Sequence, residues 1–190
     1  MDDMQSSSTT HPLILLSELE EACKSQIPIT AHNSSNSYWI GIGFQLNQHC
    51  LAIKTTYINE VLDSKLMNNI SKVPAAKSWF LGLISLRGQP LPVIDLKDYL
   101  LGEPTTPGHT NRLIVIKHNN VNTGLLVEEI FSLKQFSKED VNHQIDITST
   151  FSATLQRFIL QAFGDGRNIW GELSIEALAG DAEFLNASIF

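Results

Sequence analysis

The residues best suited to chemistry are scattered along the chain. The six histidines are His11, His32, His49, His109, His118 and His143. No two stand two or four apart, so no strand or helix presents a local metal pair. There is no Cys-x-x-Cys, no Walker-type glycine loop and no Gly-x-Ser-x-Gly elbow. Gly41-Ile42-Gly43 lacks the third glycine and the following helix of a dinucleotide loop. It reads instead as strand glycines approached by a backbone or a bulky side chain. Carboxylates stand close at Glu128-Glu129 and at Asp95 with Asp98. Such pairs do general acid–base work where a fold brings them together, and otherwise serve as solvated turns or helix caps. Cys50 follows His49, but adjacent strand residues point to opposite faces, which makes Cys50 a core cysteine. With only Cys23 beside it, no disulfide framework is possible, and both read as reduced. Arg87 sits in Leu86-Arg87-Gly88-Gln89-Pro90 between two apolar strands. Two readings stand side by side: a turn residue in solvent, or an anchor whose planar fork grips carboxylates or carbonyls.

Composition narrows the classes. The chain has 190 residues, 43% hydrophobic and 17% charged, which is too apolar for a disordered protein. A net charge of −7 without a basic patch argues against nucleic acid as a partner. The longest early apolar run, Leu13 to Leu16, is far short of the ~20 residues that span a bilayer, so no membrane insertion is expected. Met1-Asp2-Asp3 is acidic where a signal peptide is basic, which predicts a cytoplasmic protein.

The elements that must position these residues are mostly short strands. Residues 1–36 read as a disordered start, a short helix over 13–25 and a linker rich in Asn and Ser. Residues 37–190 form the domain proper. Tyr38 to Leu46 alternates with period two, Asn47-Gln48 turns, and His49 to Ile53 returns. Residues 55–73 are mixed, and Ala75 to Leu81 reads as a helical turn or two. Leu83–Leu86 and Leu91–Ile94 form a hairpin about Arg87. Asp95 is placed to cap a helix over Leu96–Leu101, with Gly102 as its C-cap. Leu113–Ile116 and Thr123–Val127 are strands, and Ile130 to Phe136 extends an apolar stretch. Residues 137–152 read as a loop and Ala153–Phe163 as a strand. Gly164–Asn168 is a hairpin loop, Ile169–Leu173 the returning strand, and 174–188 a C-terminal helix. Eight to ten short strands with turn signals predict small barrels or a sandwich.

Phe80-Leu81-Gly82-Leu83-Ile84-Ser85-Leu86-Arg87-Gly88-Gln89-Pro90-Leu91-Pro92-Val93-Ile94-Asp95-Leu96 resembles the signature of the CheW-like domains, the chemotaxis coupling proteins. Thr123 to Ile130 resembles the family's glycine-led second block, Tyr38 to Ile53 its opening hairpin, and Tyr57 to Val61 the segment after it. The likeness covers about residues 38–178. Ser85 stands where Asn is usual, Glu128 where Asp is usual, and the closing strand around Trp170 is less aliphatic. Within the family, the appended N-terminal helix, Trp170 and the C-terminal helix resemble the coupling proteins of type IV pilus twitching systems. The resemblance implies a mainly β fold of two SH3-like five-stranded β-barrels sharing an apolar core, with short N- and C-terminal helices. It implies no catalytic activity and no cofactor. The partners it implies are a methyl-accepting chemoreceptor and a CheA-type histidine kinase, the kinase docking on a barrel end and the receptor in a groove between the barrels. Carried over by position, Ile58, Glu60, Gly82 and Gly124 fall at or near the receptor groove, and Arg87 is the signature arginine. Each also has a local reading: the glycines for tight backbone, Ile58 for core, Glu60 for a cap or solvent, Arg87 for holding its turn. A flagellar coupling protein and a small β-barrel hydrolase built from distant acids are the rival readings.

Overall fold

Period-two alternation builds two sheets, and each strand divides its apolar residues between two cores. The computed structural model describes residues 38–137 and 145–187. Ten strands are present among the described residues: β1 (Tyr38–Leu46), β2 (His49–Lys54), β3 (Ile58–Asp63), β4 (Phe80–Leu86), β5 (Gln89–Asp95), β6 (Arg112–His118), β7 (Val121–Val127), β8 (Glu129–Ser137), β9 (Ile159–Gly164) and β10 (Ile169–Leu173). The first five-stranded sheet has the order β8-β1-β2-β10-β9, and the second β3-β6-β7-β5-β4. The fold class expected from the sequence, mainly β with two five-stranded units and a few short helices, is the one found.

The two sheets share a plan. Each joins two antiparallel hairpins, β1–β2 with β9–β10 and β6–β7 with β4–β5. In each, a parallel pair stitches the hairpins together, β2 to β10 and β7 to β5. A fifth strand, β8 or β3, lies at the edge. The whole second sheet is inserted between β2 and β8.

Burial follows the alternation. On β2, Leu51 and Ile53 enter a core shared by both sheets, while Ala52 enters a pocket inside the first sheet with Phe136, Phe163 and Trp170. On β6, Ile114 and Ile116 enter the shared core, and Leu113 and Val115 a second pocket with Ile84, Leu91, Val93 and Leu126. Leu62 of β3 and Leu86 of β4 pack on that second pocket, so opposite edges of one sheet meet around it. Each sheet therefore curls about its own small core and presses its outer face on the shared one. Gly41 and Gly43 lie on the inward face of β1, where added Cβ atoms would strike the rings of Trp39 and Trp170. That is the close approach their setting predicted.

Short helices complete the shared core. In α1 (Leu96–Leu101), Asp95 caps the N-terminus by accepting from the Lys97 and Asp98 amides at 3.1 and 3.2 Å. Gly102 ends it with φ 72°, as expected. Elsewhere the elements depart from expectation. Ala153–Phe163 is not one strand. Its first turn is α3 (Ala153–Gln156), capped by Ser152 accepting from the Leu155 amide, and β9 follows. Leu155, Phe158, Ile159, Ala162 and Phe163 have helical spacing, and all five are buried. The 137–152 loop contains α2 (Ile147–Thr150), capped by Asp146. The C-terminal helix is two: α4 (Ile175–Gly180) stops at Gly180, and the Asp181 side chain caps α5 (Ala182–Leu185). The expected helical turn over Ala75–Leu81 is a run of turns opened by Ala75 at φ 55°, and β4 begins at Phe80. The segment 1–36 with its expected helix, Cys23, His11, His32, His143 and the last residue of the expected C-terminal helix lie outside the described residues.

Candidate partner-docking site

Four of the five residues singled out by position lie on the two edges of the second sheet. Ile58 and Glu60 are on β3, Gly82 on β4, and Arg87 in the tight turn from β4 to β5. Arg87 and Gly88 form a two-residue hairpin loop with φ 52° and 78°. Positive φ at both positions matches the twist of the flanking strands. The turn throws the Arg87 side chain across the open end of the sheet. There its Nη2 donates to Glu60 Oε2 at 2.8 Å. The Arg87 side chain is 75% exposed and that of Glu60 18%.

The edges also meet through backbone. The chain after β3 returns so that Ser71 and Leu83 exchange bonds of 2.8 and 2.9 Å. Gly82 lies beside this bridge at φ 134°, and a Cβ there would run into the Ser71 carbonyl oxygen. Glycine is required by both conformation and space. Ile58 is half-buried against the shared core. Gly124 is not with the others: it is buried on the central strand β7, where Leu113 fills the space of the absent Cβ.

One member of each acid pair found from sequence, Asp95 and Glu128, has structural partners. Asp95 is 2% exposed and also accepts from the Thr105 amide and hydroxyl, both at 2.7 Å. Glu128 is neither a cap nor a solvated turn residue. Its Oε1 accepts from Lys97 Nζ at 2.9 Å and its other oxygen from the Asn47 amide, which ties the β1–β2 turn to the second sheet. The bond to Glu128 holds the Lys97 ammonium above the usual lysine value. Glu172, 1% exposed, accepts from Lys54 at 2.6 Å and Gln161 at 2.5 Å. His49 and Cys50 do face opposite ways. His49 lies 5.6 Å from Phe151, whereas Cys50 packs on the first sheet's inner pocket. Burial pushes the free Cys50 thiol up, with Asp165 adding to it, and lowers His49. Among the described residues no group of three or more His, Cys, Asp or Glu is placed to hold a metal. No helix among them is long and apolar enough to cross a membrane.

The sequence carries no sign of how Arg87 and Glu60 find each other, nor of the partner of Tyr57. The hydroxyl of Tyr57 donates to Glu176 on α4, a residue 119 positions away. No local signal marks such a pair.

Residues 41–183 match the profile of the CheW-like domain, and the chain belongs to that family. Membership places it among coupling and scaffold proteins. More particularly, it is 27% identical to Protein PilI of Pseudomonas aeruginosa over 190 residues, 100% of each chain. It is 30% identical to Chemotaxis protein CheW of Rhizobium meliloti over 92 residues, 48% of this chain and 59% of that one. Among solved structures, the scaffolding protein TtCheW from Thermoanaerobacter tengcongensis superposes with a TM-score of 0.61 at 18% identity. The match covers 76% of this chain and 89% of that one, and it shows the shared fold.

Proposed function

We propose that this protein couples a methyl-accepting chemoreceptor to a CheA-type histidine kinase in the cytoplasm, in a pathway that controls type IV pilus twitching. The observation that carries the reading is the Arg87–Glu60 pair beside Ile58, spanning the two edges of the second sheet. The Arg87 end of the pair is open to solvent while Glu60 is largely covered, so a partner can reach the guanidinium without uncovering the carboxylate. The guanidinium spends Nη2 on Glu60 and offers the rest of its fork to a partner carboxylate or carbonyl. β3 pairs with β6 alone among the described strands, so its other side offers backbone groups to a partner. Residues 37–190 constitute the coupling domain and residues 1–36 an appendage to it. The full-length likeness to PilI favours twitching over swimming. Holding both partners at once lets the receptor's conformation bias the kinase's.

The test is co-elution with the regulatory end of a CheA-type kinase from the same cell, wild type beside Arg87→Ala. Wild type should form a complex, and the folded variant should bind about tenfold or more weakly. No complex with any kinase of that cell would remove the reading. Deleting the gene should abolish twitching and leave swimming intact; the opposite phenotype would assign the protein to a flagellar pathway.

A further inference from the structure

The edge strand that carries Ile58 and Glu60 is only partly packed, with Ile58 against the shared core and Leu62 against the second pocket. None of its six residues is fully buried, and its register with β6 slips between Ile58 and Glu60. By contrast, four residues of the neighbouring β6 are fully buried. The crossover into β3, the 3₁₀ turn Thr55–Tyr57, contains no buried residue either. Partly packed segments open locally more easily, so individual hydrogen bonds count for more in them. Two side-chain bonds anchor this crossover. The Thr55 hydroxyl donates to the Ile40 carbonyl at 3.1 Å, and the Tyr57 hydroxyl donates to the Glu176 carboxylate.

We propose that Tyr57 and Glu176 form a positioning pair that holds β3 in register for the receptor. The proposal rests on the reading of Ile58 and Glu60 as docking residues. Tyr57 immediately precedes Ile58, so any swing of the crossover moves both docking side chains. Glu176 lies in the first turn of α4, which is rooted in the shared core through Ile175 and Leu178. The pair therefore ties a partly packed edge to a well-packed element. Its chemistry suits the task. The Tyr57 hydroxyl is pushed up to about 12, first by its bond to Glu176, and so stays a protonated donor. Burial opposes ionisation of Glu176, but the Tyr57 hydroxyl and the bonds from its own amide and Ser174 hold it below the usual value. It stays an ionised acceptor. The Tyr57 ring also packs edge-on at 5.2 Å from His118, a contact that Tyr57→Phe preserves.

The test uses the whole chain in four variants: Y57F, E176A, E176Q, which keeps an acceptor oxygen, and Y57F/E176A. Amide exchange over residues 55–63 is read by mass spectrometry. Affinity is measured for a soluble hairpin fragment of a methyl-accepting receptor from the same cell. Exchange in that segment should rise about fivefold in Y57F and E176A. It should rise no further in the double variant, stay near wild type in E176Q, and remain unchanged elsewhere in the chain. Affinity for the receptor fragment should fall by a similar factor, with melting temperatures nearly equal. Unchanged exchange in both single variants, or faster exchange with undiminished affinity, overturns the pair's role while wild type still binds. A wild type that does not bind the fragment overturns the docking reading itself, and with it the purpose assigned to the pair.

Discussion

Asp165 shows how one side chain can hold a turn that its own sequence only outlines. In the loop between β9 and β10 its carboxylate accepts from the Arg167 and Asn168 amides at 3.0 and 2.7 Å and from Trp170 Nε1 at 2.7 Å. From across the sheet it takes Lys134 Nζ at 2.9 Å, which is the largest cause holding its carboxyl pKa well below the usual carboxylate range. Because the folded value is lowered, the stabilisation is present above the unfolded value near 4 and is lost as pH falls toward the folded one. Asp165→Asn should therefore lower the melting temperature at pH 7, and its deficit against wild type should shrink steadily below about pH 4. A deficit constant with pH would show that Asp165 acts without its charge. A second residue-scale expectation concerns Gly82. With φ at 134° and the Ser71 carbonyl against it, Gly82→Ala should cost about 1–3 kcal/mol, read from the urea midpoint. Of these residues the sequence marked Gly82 and Arg87 by position and Asp95 by capping chemistry. It marked Glu128 only as half of an acid pair and gave no sign of the partners of Glu128, Lys134 and Tyr57, because these stand 81, 31 and 119 positions away.

Among the elements, α1 depends on a single residue. Asp95 is buried and accepts four bonds, two capping the helix and two holding Thr105 of the following loop. Asp95→Ala would leave those donors unpaired in a buried place. A loss of about 2–4 kcal/mol is expected in chemical denaturation, larger than the loss from an exposed cap. A loss under about 1 kcal/mol would mean that water replaces the carboxylate. The strands were legible wherever alternation met one buried face, as in β1 and β2. Reading failed over 153–163, where helix and strand templates both fit the same apolar residues. The choice was made there by the Ser152 cap and by pairing of β9 with β10. The break between α4 and α5 was likewise present as Gly180-Asp181, a stop followed by a cap, but the apolar spacing ran across it.

For the whole molecule, the insertion of one sheet into the other makes the two interdependent. The second sheet offers Ile94, Ile114, Ile116, Leu125 and Val127 to the shared core, and these would be bare without the first. An isolated piece covering residues 55–127 should therefore remain unfolded or aggregate, seen as absent dispersion in its amide spectrum. A folded, monomeric piece would refute the interdependence. In the intact chain, tryptophan fluorescence, which reports on Trp39 and Trp170 inside the first sheet and on Trp79 in the shared core, should change together with the far-ultraviolet signal of both sheets. The sequence by itself determined the class of structure: many short half-buried strands, a capped helix after Asp95, and a signature turn bearing Arg87. These rest on local chemistry, namely side-chain alternation, capping and turn conformation, which neighbouring residues dictate. Tertiary structure alone decided which strands became edges, that Arg87 reaches Glu60, that Glu128 joins Lys97 and Asn47, and that Tyr57 is held by Glu176. Those contacts form only after distant strands pair and the sheets close on their cores, and the free energy that brings them together is the burial of the shared core, which no local pattern specifies.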